Sequence, residues 1–244
     1  MRKKIASKPM SPIKEYTNWN IRKSDIEKKV PIHKRYYFIC EGRNTEKWYF
    51  KKLIDRRKEL SISDNIELVF LEKTGTDENV SNPKSLLKLA KKQKASNKYN
   101  PQIEQIIIIF DADIYKDNKE EYQKLIKNAK GFKLGVTYPS FELFLLLHNE
   151  NAVDKLIKPH KKEIIENEWV NGGSVSRKRY VHKLFTDNYK INPKTNDRVG
   201  DLVNYLDIAI AQENKINSNI DNAVGVITSN IGHIIKSIIK DKGN

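Results

Sequence analysis

The chain has 244 residues, with 46 Lys and Arg against 31 Asp and Glu, a formal charge of +15 and a pI near 9.6. One cysteine, Cys40, excludes an intramolecular disulfide and any multi-cysteine zinc centre. No apolar run approaches the ~20 residues needed to span a bilayer, and the basic start MRKKIASKPMSPIKEY has no apolar region after it, so it reads as neither signal peptide nor anchor and the expected location is the cytoplasm.

A surplus of Lys and Arg concentrates polyanions and speeds their encounter, which makes nucleic acid a natural partner. The same surplus also fits a lysine-rich composition in which Lys merely solvates surfaces. Residues 1–34 are basic, carry Pro9, Pro12 and Pro31, lack sustained periodicity, and read as an N-terminal extension.

From residue 36 a different pattern begins. YYFICE reads as a buried strand, and NTEKWYFKKLIDRRKEL as a helix in which Trp48, Phe50, Leu53 and Ile54 share an apolar face. IELVFLE (66–72) is a second strand. After a polar loop, NPKSLLKLAKKQKAS predicts a helix capped by Asn82 with Pro83 at its first position. The run QIIIIFDAD (105–113) is rich in β-branched residues and suits a central strand buried on both faces. EEYQKLIKNAK predicts a helix, FKLGVTY a strand, and FELFLLLH a buried helix introduced by Pro139 and Ser140.

This strand–helix alternation predicts an α/β core over 35–149 with a mostly parallel sheet flanked by helices. Over 150–244 the strand signal fades. EIIENEW, SRKRYVHKLFTDNY, RVGDLVNYLDIAIAQ and NIGHIIKSIIK look helical, which predicts a helical C-terminal region packed on the core.

In an open parallel sheet, functional groups collect beyond the C-terminal ends of the strands. Glu41 follows YYFIC, Asp111 and Asp113 follow IIIIF, and Glu142 follows VTYPS at the start of a helix. Clustered carboxylates offer oxygen ligands to a hard cation such as Mg²⁺, which offsets their repulsion. Gly42 permits a tight turn beside Glu41. Each feature also has a plainer reading. Asp-x-Asp at a strand end serves turn chemistry, Glu142 in a first turn complements the helix dipole, and Glu46 caps its helix or pairs along it.

These words resemble something known. Strand-Glu-Gly followed by strand-Asp-x-Asp is similar to the Toprim domain of topoisomerases, primases and certain nucleases. CEGRNTEKWYF is similar to the CEGxxTExxYF opening of the RloB-like family, and YPSFELFLLLH resembles its SNPSFELWLLLH segment. With IIIIFDAD between them and SNIGHIIKSII as a weaker match to a terminal helix, the likeness spans roughly 36–240. Tyr-Pro-Ser stands here where the family has Asn-Pro-Ser, and the last segment reads Thr-Ser-Asn-Ile where an Asn-Pro-Ser-Thr-like sequence is expected.

The family occurs in restriction-modification and phage-defence loci, and related Toprim arrangements occur in overcoming-lysogenization-defect nucleases and abortive-infection proteins. The resemblance implies a Toprim-type, Mg²⁺- or Mn²⁺-dependent endonuclease of antiviral defence acting on DNA or RNA, with an ABC- or AAA-type ATPase as candidate partner. It assigns catalysis to Glu41, Asp111 and Asp113 and metal binding to those three with Glu46 and Glu142. A non-catalytic nucleic-acid- or ATPase-binding subunit is the alternative. Arg177, Lys178, Arg179, Tyr180 and Lys183 form a basic cluster suited to gripping phosphates, to which Lys190 and Lys194 add charge. The plainer reading of that cluster is a solvated basic helix face.

Overall fold

In a computed structural model, residues 13–16, 32–73, 81–96, 98–171 and 177–242 are described. In chain order the strands are β1 (Ile13–Tyr16), β2 (Lys34–Cys40), β3 (Ile66–Lys73), β4 (Glu104–Asp111), β5 (Lys133–Tyr138), β6 (Trp169–Asn171), β7 (Arg177–Arg179) and β8 (Thr228–Ser229). The α-helices are α1 (Thr45–Asp55), α2 (Pro83–Lys94), α3 (Lys119–Asn128), α4 (Phe141–Leu146), α5 (Lys161–Glu166), α6 (Tyr180–Tyr189), α7 (Leu206–Glu213) and α8 (Ile231–Ile239).

Six strands form one sheet in the order β1-β3-β2-β4-β5-β8. β3, β2, β4 and β5 are parallel, while β1 and β8 run antiparallel at the two edges. The fold is thus α/β with a mostly parallel sheet between helices, consistent with the Toprim-like arrangement expected. The period-two pleat explains why β2 and β4 are so uniformly apolar. Phe38, Cys40, Ile107 and Ile109 join the core under α1, α4, α7 and α8. Their neighbours Tyr37, Ile39, Ile106, Ile108 and Phe110 join the core under α2 and α3. Cys40 is buried there as a small hydrophobe.

Helix ends follow their sequence signals. The Asn82 side chain accepts from the Ser85 N–H at 2.9 Å with Pro83 behind it, and Asn118 caps α3 through the Glu121 N–H at 3.0 Å. Among the described residues no helix is long and apolar enough to cross a membrane.

The C-terminal part departs from the all-helical expectation. Arg177–Arg179 is a strand paired with β6, so the helix expected over SRKRYVHKLFTDNY begins only at Tyr180. Trp169 and Arg179 face each other across that hairpin, and cross-strand contact between an indole and a guanidinium favours extended backbone over the helix that local propensity suggests. Asp197–Tyr205 is a tight 3₁₀ segment, with the α-helix starting at Leu206. It lies against α1 so closely that a Cβ on Gly200 would come 2.9 Å from the Trp48 carbonyl oxygen. Within the N-terminal extension, Ile13–Tyr16 adds an edge strand to β3; most of the rest of 1–34 lies outside the described residues.

The terminal SNIGH segment closes the other sheet edge. Asn230 accepts from the Val136 N–H at 2.8 Å and donates to the Leu134 carbonyl at 2.8 Å, copying a strand's hydrogen bonds along β5. Buried Glu213 accepts from the Gly232 N–H at 3.0 Å, the His233 N–H at 2.7 Å and the Ser229 hydroxyl at 2.5 Å, which satisfies the open N-terminus of α8.

Candidate functional site

β2 and β4 are neighbours in the sheet, so their C-terminal ends open onto the same place. The Glu41 N–H continues the ladder to the Ile109 carbonyl at 3.0 Å, and its carboxylate turns back to accept from the Asp111 N–H at 3.2 Å. Asp111 ends β4 and accepts from the Thr137 hydroxyl of β5 at 2.7 Å. Asp113 opens the 3₁₀ turn Asp113–Tyr115, with fully buried Ala112 between the two acids.

Glu46 sits on the buried face of α1. One of its oxygens accepts from the Gly42 N–H at 3.1 Å, and the other, Oε2, is buried with no hydrogen-bond partner. A Cβ on Gly42 would fall 1.9 Å from Glu46 Oε2, so any larger residue there would force the Glu46 carboxylate to move. Glu142, in the first turn of α4, is buried against the Lys194 ammonium at 2.8 Å, with the His182 Nδ1 4.0 Å away.

The five acids singled out in the sequence share one electrostatic neighbourhood around Asp111, and Asp111, Asp113 and Glu142 line one cleft. Burial, with Glu46 and Asp113 nearby, pushes the Glu41 carboxyl up to about 7 against the pull of the Asp111 N–H. Burial and then the charges of Glu46, Glu41, Glu142 and Asp113 raise Asp111 well above the usual carboxylate range. Asp113 is raised by burial and by Glu142, although the Arg179 guanidinium pulls it down. Glu46 is likewise raised by burial and by Glu142, with Lys194 opposing. Burial alone would raise Glu142 too, but Lys194 and Ser140 hold it down at about 2.

The sequence showed no basic residue within either acidic strand tip; distant segments bring the countercharge. Lys194 lies in a loop pinned to the start of α1, where the Thr45 hydroxyl donates to the Pro193 carbonyl at 2.8 Å and Asn44 donates to the Lys194 carbonyl at 2.9 Å. Lys73, at the end of β3, donates to the Glu41 carbonyl at 2.6 Å. Lys194 is held firmly protonated by Glu142 and Glu46 despite the desolvation that opposes it.

A cleft of about 430 Å³ opens beside these acids, with Asp111, Asp113, Glu142, Lys194, Arg177 and Arg179 in its wall. The basic cluster therefore divides. Arg177, Lys178 and Arg179 line the cleft from β7, and Lys194 enters it from its loop. Tyr180 instead bonds its hydroxyl to His160 Nδ1 at 2.8 Å, Lys183 pairs with Asp187, and Lys190 ends α6 in a left-handed conformation (φ 57°). Sequence reasoning left out Thr137, Asn167, Trp169 and Asn192. Only Trp169 carried a local signal, as an aromatic residue three positions ahead of the sequence pair Gly172-Gly173.

All five acids supply oxygen ligands, the donor type a hard divalent cation takes. The unpartnered Glu46 oxygen and the raised carboxyls mark the cost of ionising these buried acids together, a cost that such a cation would offset. Among the described residues no three His, Cys, Asp or Glu side chains stand ready as a ligand set, and Lys194 supplies positive charge next to Glu142. The oxygen donors are nonetheless of the kind that Mg²⁺ or Mn²⁺ takes, and Glu41, Glu46, Asp111, Asp113 and Glu142 are the residues that would hold such an ion.

The protein is an α/β sheet with an acidic crevice at its strand tips and a basic strand pair at the rim. A family model described as RloB-like protein matches residues 36–238, and the chain belongs to the RloB-like family. No curated protein and no solved structure gives a significant match.

Proposed function

We propose that the protein is a metal-dependent nuclease that hydrolyses phosphodiester bonds of DNA or RNA in a phage-defence or restriction-associated system, with an ATPase as its controlling partner. The observation that carries this reading is the convergence of five acids, one with an orphaned buried oxygen, beside a cleft walled by Arg177, Lys178 and Arg179. The defence setting and the ATPase rest on the family resemblance alone.

A bound Mg²⁺ or Mn²⁺ supplies Lewis-acid polarisation of a phosphoryl oxygen and lowers the pKa of water. The chain's own groups do the rest. Arg177 and Lys178 draw the nucleic-acid backbone into the cleft. Lys194 places an ammonium where negative charge accumulates on the phosphoryl group. Glu41 is the group placed to take and return a proton, with Asp111 and Asp113 as the principal ligands.

A cleavage panel tests the proposal. Plasmid, single-stranded DNA and tRNA are incubated with Mg²⁺, with Mn²⁺ and with EDTA, using wild type, Glu41→Gln and Asp111→Asn. Metal-dependent cleavage by wild type alone supports hydrolysis. The Lys194–Glu142 ion pair favours a second reading, a non-catalytic binding subunit, because it already neutralises one acid without a metal. Binding without cleavage under every metal, with an ATPase supplied, selects that reading.

A further inference from the structure

The hairpin at the rim holds one residue that the hydrolysis reading does not use. Trp169 on β6 is 50% exposed and stands directly opposite Arg179 in the hairpin register. The Arg179 guanidinium carbon lies 4.7 Å from the indole centroid, and its Nη1 also donates to the Asn167 carbonyl at 3.2 Å. Both side chains line the same cleft as Asp111, Asp113 and Glu142.

Trp is highly buried on average, whereas the Trp169 indole presents half its surface to water at the wall of the cleft. By contrast, Trp48 packs against the core. The guanidinium fixes the orientation of the Trp169 ring through a cation–π contact, which leaves a flat apolar surface of set direction beside the acids. Phosphate groups have no affinity for such a surface, but nucleobases do. In a duplex both faces of each base are already stacked, so only an unpaired or extruded base can lie on it.

We propose that Trp169, backed by Arg179, is a stacking platform for an unpaired nucleobase, so that the nucleic acid this site takes is single-stranded or carries an unpaired nucleotide at the bond presented to the acids. This rests on the nucleic-acid reading above. Arg177 and Lys178 supply sequence-independent charge along the backbone, and Trp169 supplies the discrimination against duplex.

The test measures binding in EDTA, so that it is independent of cleavage. Fluorescence anisotropy compares short labelled oligothymidylate, oligouridylate and a blunt duplex of equal length against wild type, Trp169→Ala, Trp169→Phe and Lys178→Ala. Wild type is expected to favour the single strands, with the two of them reporting any choice between DNA and RNA. Trp169→Ala should lose about tenfold in single-strand affinity with no change in duplex affinity, and Trp169→Phe should keep most of it. The slope of log K against log salt should stay fixed in Trp169→Ala and fall by about 0.7 in Lys178→Ala. Equal wild-type affinity for single strand and duplex overturns the platform. So does a Trp169→Ala variant that binds single strands like wild type, or one that loses both ligands equally as a merely structural hairpin residue would. Absence of cleavage in the panel above, with this preference intact, sinks hydrolysis and leaves the platform standing.

Discussion

Replacing Lys194 with Met isolates the internal counterion of the acidic crevice. Glu142 is 3% exposed and ionised in the folded chain down to about pH 2 instead of 4.5, mainly because Lys194 outweighs the cost of burial. At about 1.4 kcal/mol for each pH unit that gap corresponds to about 3 kcal/mol. Half of the Lys194 side chain remains in contact with water, and screening there reduces the figure to about 2 kcal/mol. In the wild type the contribution is complete above pH 4.5 and disappears as pH falls toward 2. In Lys194→Met the stranded carboxyl takes up a proton at higher pH, so the deficit relative to wild type is largest near neutrality and narrows on acidification. For a chain of this length about 2 kcal/mol lowers Tm by roughly 4–8 °C at pH 7. Thermal unfolding followed by circular dichroism at pH 7 and pH 5 reads both quantities. An unchanged Tm at pH 7, or a gap that widens at pH 5, refutes the counterion role.

Gly42→Ala should displace Glu46, since the new methyl would overlap its carboxylate; the expected result is loss of most metal-dependent activity with Tm lowered by only a few degrees, checked by cleavage assay and melting. His148 is buried neutral in the core, accepting at Nε2 from the Tyr49 hydroxyl at 2.9 Å, with burial pulling it down to about 4 from 6.5. The unfolded chain therefore binds the extra proton first, and wild type should lose up to about 3 kcal/mol from this group as pH falls from 6.5 to 4; His148→Gln, less stable at pH 7, should show a flatter profile in urea titrations at the two pH values. Glu213→Ala strands the donors of Ser229, Gly232 and His233, at a cost of about 3–5 kcal/mol. Hydrogen exchange should then accelerate in Thr228–Ile239 before the parallel strands.

The parallel core was legible because its signals are local. The apolar run YYFIC marked β2 as a buried strand, the β-branched run IIIIF marked β4 as a strand buried on both faces, and Asn82-Pro83 marked a helix start. The acids could be picked out because each follows directly on such a run or opens the helix after it. What eluded the sequence depends on contacts across long separations. β1 is four residues that become a strand only when β3 offers an edge, and β8 is two residues held against β5. The β6–β7 hairpin lies where residues 177–179 read as helix, because cross-strand pairing overrides local propensity. Lys194 reaches the acids through hydrogen bonds bridging Asn44 and Thr45 to a loop about 150 positions later, and nothing in YKINPKT announces that the second of its two lysines faces a carboxylate.

We propose that the acids at the tips of β2 and β4, with Glu46 and Glu142, form one divalent-cation site. Isothermal titration of the purified chain with Mn²⁺, repeated on Asp111→Asn, tests it without reliance on any substrate. Wild type should bind Mn²⁺ saturably, and Asp111→Asn should lose that binding or weaken it at least tenfold while its melting curve stays cooperative. Absence of Mn²⁺ binding to the folded wild type, or equal binding by both proteins, would contradict it.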